Sequence, residues 1–134
     1  MANEATLTSK VVFMKGSAYG TSVPSQTSFT DTVVGVNMGN NTQNIGTTVE
    51  EIVLGDINAG SNQLGWFWVK NMSTTDAVEV SYGDATSTNF ADRIITRLPP
   101  GMPLGPIKCP PSRTKIYGKA VTVAVDIMWA ASQA

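Results

Sequence analysis

The side chains best equipped for chemistry lie in a few short stretches. Asp56-Ile57-Asn58-Ala59-Gly60-Ser61-Asn62 carries oxygen-bearing side chains at Asp56, Asn58 and Asn62, with Gly60 at the intervening alternate position, close to the opening pattern of a calcium-binding loop. The acidic residue that such a loop needs at its twelfth position falls on Phe67, so the stretch reads as a turn held by Asx side chains. Glu50-Glu51 is the one adjacent acidic pair. Neighbours on a strand point to opposite sides, so these carboxylates would not work as an acid/base pair. Asp76, Asp84 and Asp92 could supply paired carboxylates for glycoside hydrolysis, but nothing in their spacing brings two of them together. Cys109 follows Lys108, a cation that could lower its pKa; with no base or resolving cysteine it reads as inert. Trp66 and Trp68 share one strand face, with Phe67 opposite. Such a pair either packs in a core or subunit interface, the favoured reading, or offers flat apolar rings on which a sugar stacks. Trp129 is read as a packing residue in the same way. Asn40-Asn41-Thr42 and Asn71-Met72-Ser73 match the glycosylation pattern, which carries meaning only on a secretory route.

The rest of the composition narrows the chemistry. The chain has 134 residues, one Cys and no His. That excludes Ser-His-Asp and Cys-His nucleophiles, His-ligated zinc, internal disulfides and Cys-ligated clusters. No cofactor or metal is expected. Nine basic against ten acidic residues give a net charge of −1, and no basic run interleaves with aromatics, so nucleic acid is not an expected partner. No stretch approaches the roughly 18 apolar residues of a membrane span, and Met1 to Lys10 is too polar for a secretory signal. Charged residues are 14%, against about 25% in a typical domain. In their place stand 16 Thr, 11 Ser, 9 Asn and 12 Gly.

The elements that must position these residues are strands. Helical apolar spacing is interrupted nearly everywhere; the best helical stretch, Thr86 to Arg97, carries β-branched Ile94, Ile95 and Thr96, which favour a strand. The expected strands are Leu7–Met14, Phe29–Met38, Ile45–Leu54, Trp66–Val69, Ala77–Tyr82, Arg93–Leu98, Lys115–Tyr117 and Val121–Trp129. Tyr19 to Ser28 is read as a loop, Gly39-Asn40-Asn41 as a turn and Gly55 to Gly65 as a link. In the last strand Val121, Val123, Val125 and Ile127 share the core face, with Asp126 a lone charge on the other. About eight strands at short intervals imply an all-β fold, a single antiparallel β-sandwich spanning residues 1–134. Six of the seven prolines fall between Pro99 and Pro111. Lacking amide donors, this segment cannot be a central strand and is expected as an edge strand or an extended arm lying on a partner.

A resemblance adds to this reading. Between Thr42 and Ala131 the chain carries Leu54-Gly55-Asp56, then Gly65-Trp66-Phe67-Trp68-Val69-Lys70-Asn71-Met72, then Val78-Glu79-Val80, then Leu98-Pro99-Pro100-Gly101 and a closing strand Ala120 to Ile127. This order resembles small structural proteins of tailed bacteriophages, with an L-G-D turn, a glycine-led apolar strand ending in K-N, a V-E-V strand and a P-G turn. The resemblance implies a jelly-roll-like sandwich displayed on the virion, as a head decoration or cement protein, often trimeric, with no catalytic residues. It implies the major capsid protein or other virion proteins as partners, and assembly in the host bacterial cytoplasm, which suits a single Cys. The proline segment is longer here than the pattern leads one to expect. The expected subunit or lattice contacts are Pro99, Pro100, Met102, Pro103, Leu104, Pro106, Ile107, Pro110, Pro111 and Trp129. The alternative is a tail or spike module that binds a receptor or carbohydrate through Trp66 and Trp68.

Overall fold

The computed structural model describes residues 4–9, 12–15, 18–21, 27–32, 38–59, 63–83, 90, 93–111 and 113–134. The chain forms two compact units, Met1–Val33 and Val34–Ala134. The first holds two antiparallel pairs. Strand β1 (Glu4–Ser9) pairs with β4 (Thr27–Thr32), and β2 (Val12–Lys15) pairs with β3 (Ala18–Thr21). The expected strand Leu7–Met14 is therefore shared between β1 and β2, its Lys10 and Val11 lying outside the described residues. The stretch expected as a loop, Tyr19 to Ser28, contributes to β3 and β4 instead. Thr and Tyr are good strand formers, and local pairing outweighs the turn-rich composition there.

The second unit is the sandwich. One sheet has the order β10 (Pro103–Lys108), β7 (Leu64–Asn71), β12 (Val125–Gln133), β5 (Met38–Ile45). The other has the order β6 (Glu50–Glu51), β11 (Lys115–Ala120), β8 (Val78–Gly83), β9 (Ile94–Leu98). Every pairing in both sheets is antiparallel. Consecutive strands change sheets at every connection but β8 to β9, which is the interleaving of a jelly roll. Eight strands in two antiparallel sheets is the all-β sandwich anticipated from the sequence, and all eight lie within the second unit.

Period-2 alternation builds the core. Strand β7 turns Phe67 and Val69 inward, both fully buried, while Trp66 and Trp68 stay half-buried on the outer face. Strand β12 turns Val125, Ile127, Trp129 and Ala131 inward. The second sheet supplies Val78, Val80, Leu98, Ile116 and Ala120. Gly118 leaves room for Ile45 of the opposite sheet: a Cβ there would stand 3.3 Å from the Ile45 side chain.

Several expected boundaries move, each for a physical reason. Gly39-Asn40-Asn41 is not a turn. It lies in β5 opposite Ala131, Ala130 and Trp129, where an edge position leaves Asn40 and Asn41 exposed. The stretch expected as one strand from Ile45 to Leu54 is broken, because the chain leaves one sheet after Ile45 and joins the other at Glu50. The break is closed by the Gly46 amide donating to the Glu50 carboxylate and the Ala120 amide donating to the Gly46 carbonyl. Val121 and Val123 leave the core face: β12 begins at Val125, and Val123 is 54% exposed. Ser81 is fully buried, with its hydroxyl donating to the Phe90 carbonyl at 3.2 Å. Of the expected helical alternative at Thr86 to Arg97, the described part from Ile94 onward is strand β9.

The proline segment resolves into a corner and an edge. Pro99-Pro100-Gly101-Met102 closes with the Met102 amide donating to the Pro99 carbonyl at 3.2 Å. Gly101 has φ +73°, which the third position of a type II turn requires. Strand β10 then runs along β7 at the sheet edge, with a register shift between Leu104 and Ile107.

Asn71, the last residue of β7, joins this corner to the sandwich. It is fully buried. Its amide nitrogen Nδ2 donates to the carbonyls of Asp76 (2.8 Å), Leu98 (3.1 Å) and Pro99 (3.2 Å), its Oδ1 accepts from the Ser73 amide (2.9 Å), and its backbone amide donates to the Met102 carbonyl (3.0 Å). Removing the side chain strands several buried backbone groups. Asn71→Ala is expected to lower stability by about 3 kcal/mol, read as a drop of roughly 1–2 M in the urea midpoint. Asn71→Asp, nearly the same shape but lacking the donors, is expected to be at least as damaging. A midpoint unchanged in Asn71→Asp would show that shape, not hydrogen bonding, matters there.

Candidate functional site

Among the described residues, the polar groups singled out in the sequence have definite places, and most are consumed by the fold. Asp76 sits in the β7–β8 loop, a segment organised by Ser73, whose hydroxyl oxygen accepts from the amides of Thr75 (3.1 Å) and Asp76 (2.9 Å). The Asp76 carboxylate accepts from the amides of Thr122 and Val123, both at 2.8 Å. Those bonds hold the β11–β12 turn and keep Val121 to Val123 out of the ladder. The Val123 amide, followed by that of Thr122, keeps the Asp76 carboxyl below the ordinary carboxylate range. This carboxylate is a turn clamp. Asp84 and Asp92 lie outside the described residues.

Glu50 and Glu51 diverge as strand geometry requires. Glu50 reaches the Gly46 amide, while Glu51 pairs with Lys115 at 2.9 Å. The hydrogen bond to Glu51 holds the Lys115 ammonium above its ordinary range. Asp126, opposite Asn44 in the ladder, accepts from the Asn44 side chain at 2.9 Å.

The oxygen-rich stretch from Asp56 begins with a single 3-10 turn, Gly55–Ile57, whose Ile57 is buried. Asn58 turns its amide away to donate to the Thr114 carbonyl at 2.8 Å, and residues 60–62 lie outside the described part. No group of three or more metal-ligating side chains occurs among the described residues. Two shallow clefts of ≈ 380 Å³ each flank the Val53–Gly55 segment. One is lined by Glu51, Asn58, Thr114 and Lys115, whose polar groups bond one another or the backbone. The other is lined by Met38, Asn40, Asn41 and Trp129 among others.

Cys109 is buried, and its thiol is pushed up to about 12 by desolvation. The cation beside it in sequence does not reverse this, because strand alternation sends Lys108 to the outer face, where its ammonium lies 5.6 Å from the centroid of the Trp66 ring. Of the glycosylation patterns, Asn71-Met72-Ser73 has its amide engaged in the buried network.

The expected contact residues fall into two groups. Pro99, Pro100, Met102, Pro103, Pro106, Pro110 and Pro111 are exposed. Leu104 and Ile107 pack against the chain's own core, and Trp129 is a core residue only 5% exposed, because it shares the inward face of β12 with Val125 and Ile127. Around the Asn71 node, three braced loops present Met72 (45% exposed), Met102 (51%) and Val123 (54%) to solvent beside Pro99 and Pro100. The importance of Asn71 and Asp76 was missed from sequence. The usable signal for Asn71 was parity: if Phe67 and Val69 face inward, so does position 71.

No family model matches the chain, and neither a curated protein nor a solved structure matches it.

Two pH effects follow. The Asp76 contribution is present above the ordinary carboxylate range and is lost as pH falls through the lowered folded value; in Asp76→Asn the acid limb of stability against pH should flatten. The Cys109 thiol stays protonated when folded but ionises near pH 8.5 when unfolded, so stability should decline as pH rises from there towards the folded value of about 12. Cys109→Ala should remove part of that alkaline decline in urea titrations, and an identical slope in the variant would contradict the assignment.

Proposed function

We propose that this chain is a non-enzymatic virion structural protein, a capsid decoration or cement protein that binds the head lattice and self-associates, with a trimer as the expected form. The observation that carries the reading is the apolar end of the sandwich at the Asn71 node. Met72, Met102 and Val123 are large apolar side chains left in solvent, on loops pinned by buried hydrogen bonds rather than free to fold over them. Exposed apolar groups clustered on a rigid frame suit a protein partner. The carboxylates described above serve turns and ladders, so the polar chemistry of the sandwich is directed at its own stability. The resemblance to phage structural proteins supports the same reading, because its P-G turn is the Pro100-Gly101 corner that presents Met102.

The test is location and mass together. The protein should be found at regular lattice positions when virions are imaged by cryo-microscopy, and it should sediment as an oligomer. Met102→Asp should leave the unfolding free energy from urea titration within about 0.5 kcal/mol of the parent, as a surface change does, while reducing occupancy on particles at least tenfold. A monomer absent from the particle would sink the proposal.

A further inference from the structure

We propose that the outer face of the β10-β7-β12-β5 sheet is a binding platform for an acidic saccharide. The argument begins with the two indoles. Trp66 and Trp68 stand on the outer face of β7, half-buried, while Phe67 and Val69 between and beyond them fill the core. Residues two apart on a strand are spaced by about 7 Å, so the rings form a row rather than a single anchor. Large aromatics held at a surface this way combine a flat apolar face with a rigid mount.

Trp68 has a small residue on one side and the β10 bulge on the other. Across β12 it faces Ala130. On the β10 side the ladder slips between Leu104 and Ile107, so Gly105 and Pro106 stand beside it in the bulge. A Cβ at Gly105 would stand 2.7 Å from the Phe67 carbonyl oxygen and 3.5 Å from the Trp68 Cα, so the bulge approaches β7 at backbone level only because this residue is glycine.

Charge then selects the ligand. Lys108 lies opposite Trp66 in the ladder with its ammonium 5.6 Å from the ring centroid, and Lys70 follows Trp68 on the same strand face. The indole row is thus bracketed by a cation at each end, although the chain as a whole carries −1. The carboxylate that shares this face, Asp126, is two residues further along β12 from Met128, the partner of Lys70, and is engaged by Asn44. A ring face to stack on Trp68 and a negative group to meet the lysines describe a sugar acid, and an extended chain of such sugars could engage both ends of the row at once.

The full chain is titrated with three probes, using intrinsic tryptophan emission and calorimetry: an oligogalacturonate, its methyl ester (the same rings without charge), and poly(glycerol phosphate), which is anionic but has no ring face. The oligogalacturonate should bind saturably and at least tenfold more tightly than either control. Trp68→Ala should weaken it at least tenfold with the urea midpoint unchanged. Lys70→Gln with Lys108→Gln should abolish the preference for the acid over its ester while leaving the residual stacking response. No saturable binding at millimolar oligogalacturonate overturns the proposal, as does equal affinity for poly(glycerol phosphate). Sedimentation supplies the last arm: an oligomer that Trp68→Ala dissociates would assign this face to contacts between copies and overturn the saccharide reading.

Discussion

A buried asparagine at the end of a central strand sets the geometry of the whole sandwich. Asn71 belongs to β7, in one sheet, yet its side chain bonds the end of β9, in the other, through the Leu98 and Pro99 carbonyls. The same amide holds the Asp76 carbonyl, and the Asp76 carboxylate in turn holds the β11–β12 turn. Hydrophobic packing between sheets is non-directional and leaves their relative placement loosely specified. A fully satisfied polar group at the inner surface does specify it, because any slip would bury unpaired carbonyls. The corner at Gly101 and the turn before β12 are both tied to this node.

Small polar side chains do similar work elsewhere. Gln43 donates to the Glu51 carbonyl and accepts from the Val53 amide, both at 2.9 Å, and so stitches the edge of β5 to the strand that begins the other sheet. Thr42 directs its amide to the Asn41 side chain at 2.8 Å, which occupies an edge donor that another chain could otherwise pair with. On the second sheet, Glu79 stands between Lys119 and Arg97 in directly opposed positions, a favourable cross-strand arrangement. These uses explain how a chain poor in charge and rich in Asn, Thr and Ser can still satisfy a strand-rich interior: no buried side-chain polar atom among the described residues lacks a partner.

The outward surfaces differ in kind. At the Asn71 end the exposed groups are aliphatic and thioether side chains on pinned loops. On the outer face of the first sheet they are indoles with lysines beside them. The first suits desolvation against a protein surface, and the second suits a ligand with a ring face and negative charge. The two surfaces share strand β7: Trp66 and Trp68 lie along it, and Asn71 ends it. A rigid β7 therefore supports both.

Local patterning determined a good deal by itself. The apolar and β-branched runs at Trp66–Val69, Ala77–Tyr82 and Arg93–Leu98 became β7, β8 and β9, because alternation is a property of neighbouring residues and needs no distant partner. The absence of a donor at proline likewise confined that segment to an edge. Asn40 and Asn41 became strand only because β12 offers a long ladder to pair with. Val121 and Val123 became turn only because a carboxylate some 46 positions away captured the amides beside and within them. Asn71 became the keystone only because three carbonyls from two separate segments converge on it. Sequence spelled out which residues alternate and which cannot donate; tertiary structure decided which polar side chains would be buried and which backbone groups they would hold, since that choice depends on partners brought together only by the fold.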